Sequence, residues 1–245
     1  MSTRAYRFLK AFILAGLCFF LVVKLFSGKL SLYINTRFVP LTVFGIILLA
    51  IMALSLIGHK TAGSQHGDDT PHDQHGGHLS GLVILVLPLL IGILIPSRPL
   101  DATAASTRGM NVSAPLVGAS STTHQLEMAA DTRNILDWIR IFNSTSDLSP
   151  YLGQTARVTG FVYHDPRLGA NQFIVSRFVI TCCAADASAI GMLVTWDKSN
   201  DLKDSAWVEV KGPVQTSQLG GQLIPLIQAV LVQPVDQPNQ PYLYP

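Results

Sequence analysis

Arg177–Trp196, RFVITCCAADASAIGMLVTW, is the stretch on which the reading of this chain turns. A β-branched and aromatic run leads into two adjacent cysteines. A small-residue corner with one acid breaks it, and an apolar run then resumes. That pattern reads as strand, tight corner, strand. Outward from it, similar runs appear at Ala156–Tyr163, Ala206–Val214 and Leu223–Val232, beside Gln172–Cys182 and Ile190–Trp196 within and around the stretch itself. Gly160 marks a bend in the first run. Five short strands with a bent first one predict an all-β C-terminal domain, a small five-stranded OB-like barrel with a five-stranded sandwich as the alternative. A short amphipathic helix over Asp131–Asn143 leads the domain, with Ile135, Trp138, Ile139 and Phe142 on one stripe and Asp131 or Thr132 as its cap. Period-two alternation places Ile174, Phe178, Ile180 and Cys182 on one face of the second strand. This is the more apolar face, so Cys182 is expected to point inward and Cys183 to sit at the strand end beside Asp186.

The rest of the chain is of another kind. Charged residues make up only 13% of the 245 residues, about half the usual share for a soluble protein. Residues 1–100 contain three long apolar runs, near 11–26, 41–58 and 79–96, and every acid among them lies between the second and third. These runs predict an α-helical membrane region of three transmembrane helices over residues 1–98. The third carries Pro88, which membrane helices tolerate. Residues 99–130, rich in Ala, Ser and Thr, read as a linker, and 131–245 as the soluble domain. Three spans with a basic N-terminus (Arg4, Arg7, Lys10) place the protein in the cell membrane as a multi-pass protein with its C-terminal domain outside. The acidic excess of that domain argues against nucleic acid as a partner, because single-strand binding on such a fold needs a basic groove.

The loop between the second and third runs, residues 59–78, holds five of the chain's seven histidines. Its His66, Asp68, Asp69, His72, Asp73, His75 and His78 supply imidazole and carboxylate, the ligand set of zinc and other divalent cations. Pro71, Gly76 and Gly77 oppose a stable helix there, so the loop reads as a flexible, weak chelator of zinc or another divalent cation. A solvated polar connector is the alternative reading.

Cys182, Cys183 and Asp186 form the second candidate. Four readings stay open: a tight structural corner, a metal or ligand contact through Cys183 and Asp186, a vicinal redox pair, and a nucleophile. Adjacent Cα atoms lie about 3.8 Å apart, below the usual disulfide span, so a bond between the two would be strained. A nucleophile lacks a recognisable base, and no catalytic residue is expected.

Together the N-terminal spans, the His/Asp-rich loop, RFVITCCAADA, GMLV, WVEVKG and the terminal PYLY resemble the YcgQ-type family of proposed bacterial permease subunits. The resemblance implies a two-component membrane system in which a chain of this kind is the smaller, non-enzymatic subunit beside a YcgR-type integral membrane permease. It does not imply a substrate. A stand-alone metal-binding or metal-sensing membrane protein is the alternative reading, and a thiol redox protein a third.

Overall fold

Long apolar runs and alternating runs fold separately: the chain divides into two compact units, Met1–Arg98 and Pro99–Pro245. The computed structural model describes residues 3–58, 77–112, 129–145, 147–219 and 221–245.

The first unit is helical. Helix α1 spans Thr3–Phe26, α2 Val39–Gly58 and α3 Gly77–Leu94, and α1 packs against both of the others. Two stretches are long and apolar enough to cross a membrane, Ala5–Phe26 and Thr36–Gly58, and only 17% and 6% of their most apolar windows are buried. A soluble core helix would hide such side chains. These leave theirs outside, as a helix facing lipid does.

The expected three spans are therefore corrected to two candidate spans among the described residues. The third run's described apolar part, Gly81–Leu94, is shorter. The helix that contains it, Gly77–Leu94, runs to about 27 Å at 1.5 Å per residue, against a hydrocarbon core of about 30 Å. Pro96 accounts for the shortfall at one end, since the residue before a proline is pushed out of the helical region. Lys24, in the last turn of α1, has partners near this end of the unit. Its ammonium donates to the Ser97 hydroxyl and lies 5.2 Å and 5.8 Å from the ring centroids of Phe20 and Tyr33.

The second unit begins with helix α4, Ala102–Arg108, inside the segment expected as a linker. Asp101 caps it, its carboxylate accepting from the N–H groups of Thr103 and Ala104. Strand β1, Met110–Asn111, follows. Helix α5 covers Ile135–Ser144, and its cap is Asn134, not Asp131 or Thr132. The Asn134 side chain accepts from the N–H groups of Leu136 and Asp137 while Asp137 accepts from the Asn134 N–H, a reciprocal capping box.

The remaining strands are β2 Thr155–Tyr163, β3 Gln172–Val179, β4 Ser188–Thr195, β5 Trp207–Leu219, β6 Gln222–Gln228, β7 Leu231–Pro234 and β8 Tyr242–Leu243. The expected five-stranded OB-like barrel is corrected to eight strands in one mixed sheet, five of which (β2, β3, β4, β6 and β5) pair in a ring. Its order is β1-β4-β6-β5-β2-β3-β8, with β7 on β5 and a further β3–β4 pairing. The three strands missing from the expectation are two to four residues long. Such short strands carry no alternation to read, and β8 lies in a proline-rich tail.

Inward side chains of β2 to β6 meet α5 in one core. Trp138 and Ile141 of the helix are fully buried against residues such as Val162, Phe173, Met192 and Val210. Gly160 serves close approach: a Cβ there would lie 2.5 Å from the Ser176 carbonyl oxygen on β3.

Candidate functional site

The β3–β4 connection is where the chemistry collects. Pairing runs from Gln172↔Thr195 to Val179↔Ser188, which leaves Ile180–Ala187 to make the turn. Ile180 is still tied down, its N–H donating to the Leu243 carbonyl on β8 at 3.0 Å. The chain then bends, and Ala184–Asp186 forms a single 3-10 turn.

The Asp186 carboxylate folds back over this turn. It accepts from the N–H groups of Cys182 at 2.7 Å, Thr181 at 3.2 Å and Cys183 at 3.5 Å. Asp186 in turn donates its own N–H to the Cys183 carbonyl at 3.0 Å. Arg108, the last residue of α4, clamps the other side: its Nη1 donates to the carbonyls of Ala184 at 2.9 Å and Ala187 at 3.2 Å. The small side chains of the AADA segment permit this tight return, and the lone acid supplies the acceptors the turn's N–H groups need.

This geometry reverses one expectation. Cys182 is exposed and Cys183 half-buried, because β3 ends at Val179 and the bend breaks the alternation that would have sent Cys182 inward. Both are free thiols with their Sγ atoms 3.8 Å apart. The Cys182 thiol is pushed up to about 11 by its hydrogen bond to the Asp186 carboxylate, with Cys183 adding to the effect. Burial pushes the Asp186 carboxyl up, but hydrogen bonds from Cys182 and from the neighbouring N–H groups outweigh it and hold it below its usual value.

Cys182, Cys183 and Asp186 could hold a divalent metal ion: one ligand atom from each lies within 4.8 Å of the others. The donor set fits. At zinc–sulfur bonds of about 2.3 Å and tetrahedral angles, two thiolates sit about 3.8 Å apart. That is the separation observed here. Of the loop residues singled out from sequence, His66, Asp68, Asp69, His72, Asp73 and His75 lie outside the described residues. His78 falls on the first turn of α3, described there by its backbone alone.

Sequence reasoning missed Arg108. It lies in an Ala/Ser/Thr-rich segment without periodicity, although Asp101 and Gly109 bracket that segment as a cap and a stop signal do. Beside the corner is a cavity of about 670 Å³ that shares Arg108 and Ala187 with it and is also lined by Met110, Asn111, Arg167 and Gln222. Arg167 there is already committed to Asp165, at 2.8 Å and 2.6 Å.

A second polar cluster resembles a nucleophile arrangement. His164 Nδ1 lies 2.8 Å from Asp204, and its Nε2 lies 3.4 Å from the Ser199 hydroxyl and 3.2 Å from the Ser199 carbonyl. Ser199 is fully buried, so its hydroxyl has no surface to offer a substrate. The cluster ties the end of β2 to the loop before β5.

Known proteins place the whole chain. A Bacillus subtilis protein named YcgQ is 26% identical over 95% of this chain and 97% of its own length. A Streptococcus mutans protein, named as a proposed subunit of a two-component membrane permease complex, is 27% identical over 89% of this chain and 92% of its own. At this identity the link is one of family, consistent with the resemblance carried by the Cys-Cys corner. With residues 9–111 matching the DUF1980 N-terminal domain and residues 115–245 the DUF1980 C-terminal domain, the chain belongs to the DUF1980 family.

Proposed function

We propose that this chain is the non-enzymatic, membrane-anchored subunit of a two-component membrane permease complex, with an integral permease of the YcgR type as its partner. The observation that carries this reading is the end-to-end match to the streptococcal relative whose name places it in such a complex. Two apolar helices suit a multi-pass anchor in the cell membrane. Two crossings return the chain to its starting side, so the outward placement of the C-terminal unit that followed from three crossings is not carried forward. The soluble unit contributes the Cys182–Cys183–Asp186 corner as the point where a divalent metal ion is handled. The His/Asp loop, from His66 to His78, collects the same ion.

Purification of the tagged full chain from mild detergent, co-expressed with a YcgR-type permease, tests the reading. A stable complex is the expected result. A chain that migrates alone, while the permease is present and folded in the same extract, overturns it. The corner independently favours a second reading, a stand-alone metal-binding membrane protein. That reading predicts metal uptake without any partner.

A further inference from the structure

We infer that the corner is an exchange site for a thiophilic divalent cation of the zinc and cadmium class, taken as cargo through Cys182, Cys183 and Asp186 with one coordination position open. The inference rests on the permease reading only for the use to which the ion is put, and its test needs no partner.

Three features separate this corner from a structural metal site. A structural zinc is closed by four protein ligands, whereas these three are the complete cluster of metal-ligating side chains found among the described residues. All three come from one five-residue turn, and Cys182 is exposed. The ion would therefore face solvent, open to a fourth donor from water or from the next protein. Protein groups also hold the turn: Asp186 satisfies its N–H groups and Arg108 its carbonyls. A site held in shape without its metal is suited to loading and release, whereas zinc-folded domains lose their structure when the metal leaves.

The ligand types select the ion. Two sulfurs and one carboxylate favour zinc or cadmium over magnesium and calcium, which take oxygen. Binding breaks two S–H bonds and forms two metal–sulfur bonds. The two protons pass to solvent and no electron is transferred. Asp186 has a double part, as third ligand and as the group that positions both cysteines.

The test is a cadmium titration of the reduced full chain in detergent, read by the near-ultraviolet thiolate-to-cadmium absorption band. The expected result is a band that saturates at one cadmium per chain, is bleached by excess zinc, and disappears within seconds of adding a competing chelator. Cys182→Ser and Cys183→Ser each remove the two-thiolate band, and Asp186→Asn weakens affinity by about tenfold or more. Replacing His66, His72, His75 and His78 together by Ala leaves the band in place. Unchanged tryptophan fluorescence of the serine variants shows that their fold is retained. No band, a band that survives both serine substitutions, or cadmium that resists the chelator for hours overturns the inference. A chain that co-purifies with the permease but shows no band refutes this inference alone. A chain that shows the band but migrates alone refutes the permease reading alone.

Discussion

Gly212→Ala is the sharpest perturbation of the fold that holds the corner. At Gly212, β5 pairs with Ala156 of β2 on one side. On the other side it changes partner, from β6 at Val214↔Ile227 to β7 at Lys211↔Leu231. The chain crossing between those partners passes directly over the glycine. A Cβ there would lie 2.1 Å from the Gln228 carbonyl oxygen, 2.8 Å from its carbon and 3.0 Å from the Ala229 Cα. All three are backbone atoms, so no side-chain rotation relieves the clash. Residues 228–229 must move, which strains the bonds from the Ala229 N–H to the Thr195 carbonyl and from the Val230 N–H to the Lys211 carbonyl. Overpacking costs about 1–3 kcal/mol and a weakened backbone hydrogen bond about 1 kcal/mol, so a loss of about 3 kcal/mol is expected. For a unit of this size that corresponds to a fall of roughly 10 °C in the unfolding midpoint. The chain's three tryptophans, Trp138, Trp196 and Trp207, all lie in the second unit. Intrinsic fluorescence of the full chain during thermal unfolding therefore reports on that unit alone. Gly169→Ala is the control: a Cβ there would meet side-chain atoms only, no nearer than 3.4 Å, and the midpoint should stay put. A Gly212→Ala midpoint within a degree or two of the wild type would refute the strand exchange described at this position.

Other outcomes follow from the same geometry. Metal affinity should rise with pH across the neutral range, by about tenfold per pH unit for each proton displaced, because the Cys182 thiol is raised to about 11 and stays protonated until a metal displaces its proton; a flat affinity profile would contradict this. In the metal-free chain, the stabilisation tied to that raised thiol is present below about pH 8.5, near the unfolded value, and disappears as pH climbs towards 11. Asp186 works in the opposite direction. Its lowered carboxyl contributes stability above the ordinary carboxylate range and loses it as pH falls through the folded value, so Asp186→Asn should flatten the acid limb of the midpoint-against-pH curve. Arg177 donates to the carbonyls of Gln240 and Pro241 and lies 5.4 Å from the Trp207 ring centroid. Burial lowers its guanidinium to about 10, which leaves it charged at neutral pH. Arg177→Met should loosen the segment around Gln240 and Pro241, read as faster backbone amide exchange at Tyr242 and Leu243, and exchange as slow as in the wild type would refute the anchoring role.

The parts of the molecule legible in the sequence are those with a long period. The apolar runs that became α1 and α2, the amphipathic face of α5 and the alternating cores of β2 to β5 all repeat over enough residues to announce themselves. The boundaries and the short pieces do not. Strand β8 consists of Tyr242 and Leu243 in a proline-rich tail, and what fixes it is the Ile180 N–H and the Arg177 side chain, from a distant part of the chain. The candidate site divides in the same way. Two adjacent cysteines with an acid three residues on were visible as a chemical group. Which thiol faces outward was not, because a bend between Val179 and the 3-10 turn overrides the period of the strand. Arg108 could be connected to the corner only once α4 was seen to end beside it.

The claim that most needs testing is that the corner takes the metal through sulfur. X-ray absorption at the zinc edge of the reduced full chain, loaded with one equivalent of zinc, tests it directly. Two sulfur scatterers at about 2.3 Å are expected, completed by oxygen at about 2.0–2.2 Å, with loss of a sulfur on Cys182→Ser. A shell of nitrogen and oxygen alone, unchanged by that substitution, would contradict it.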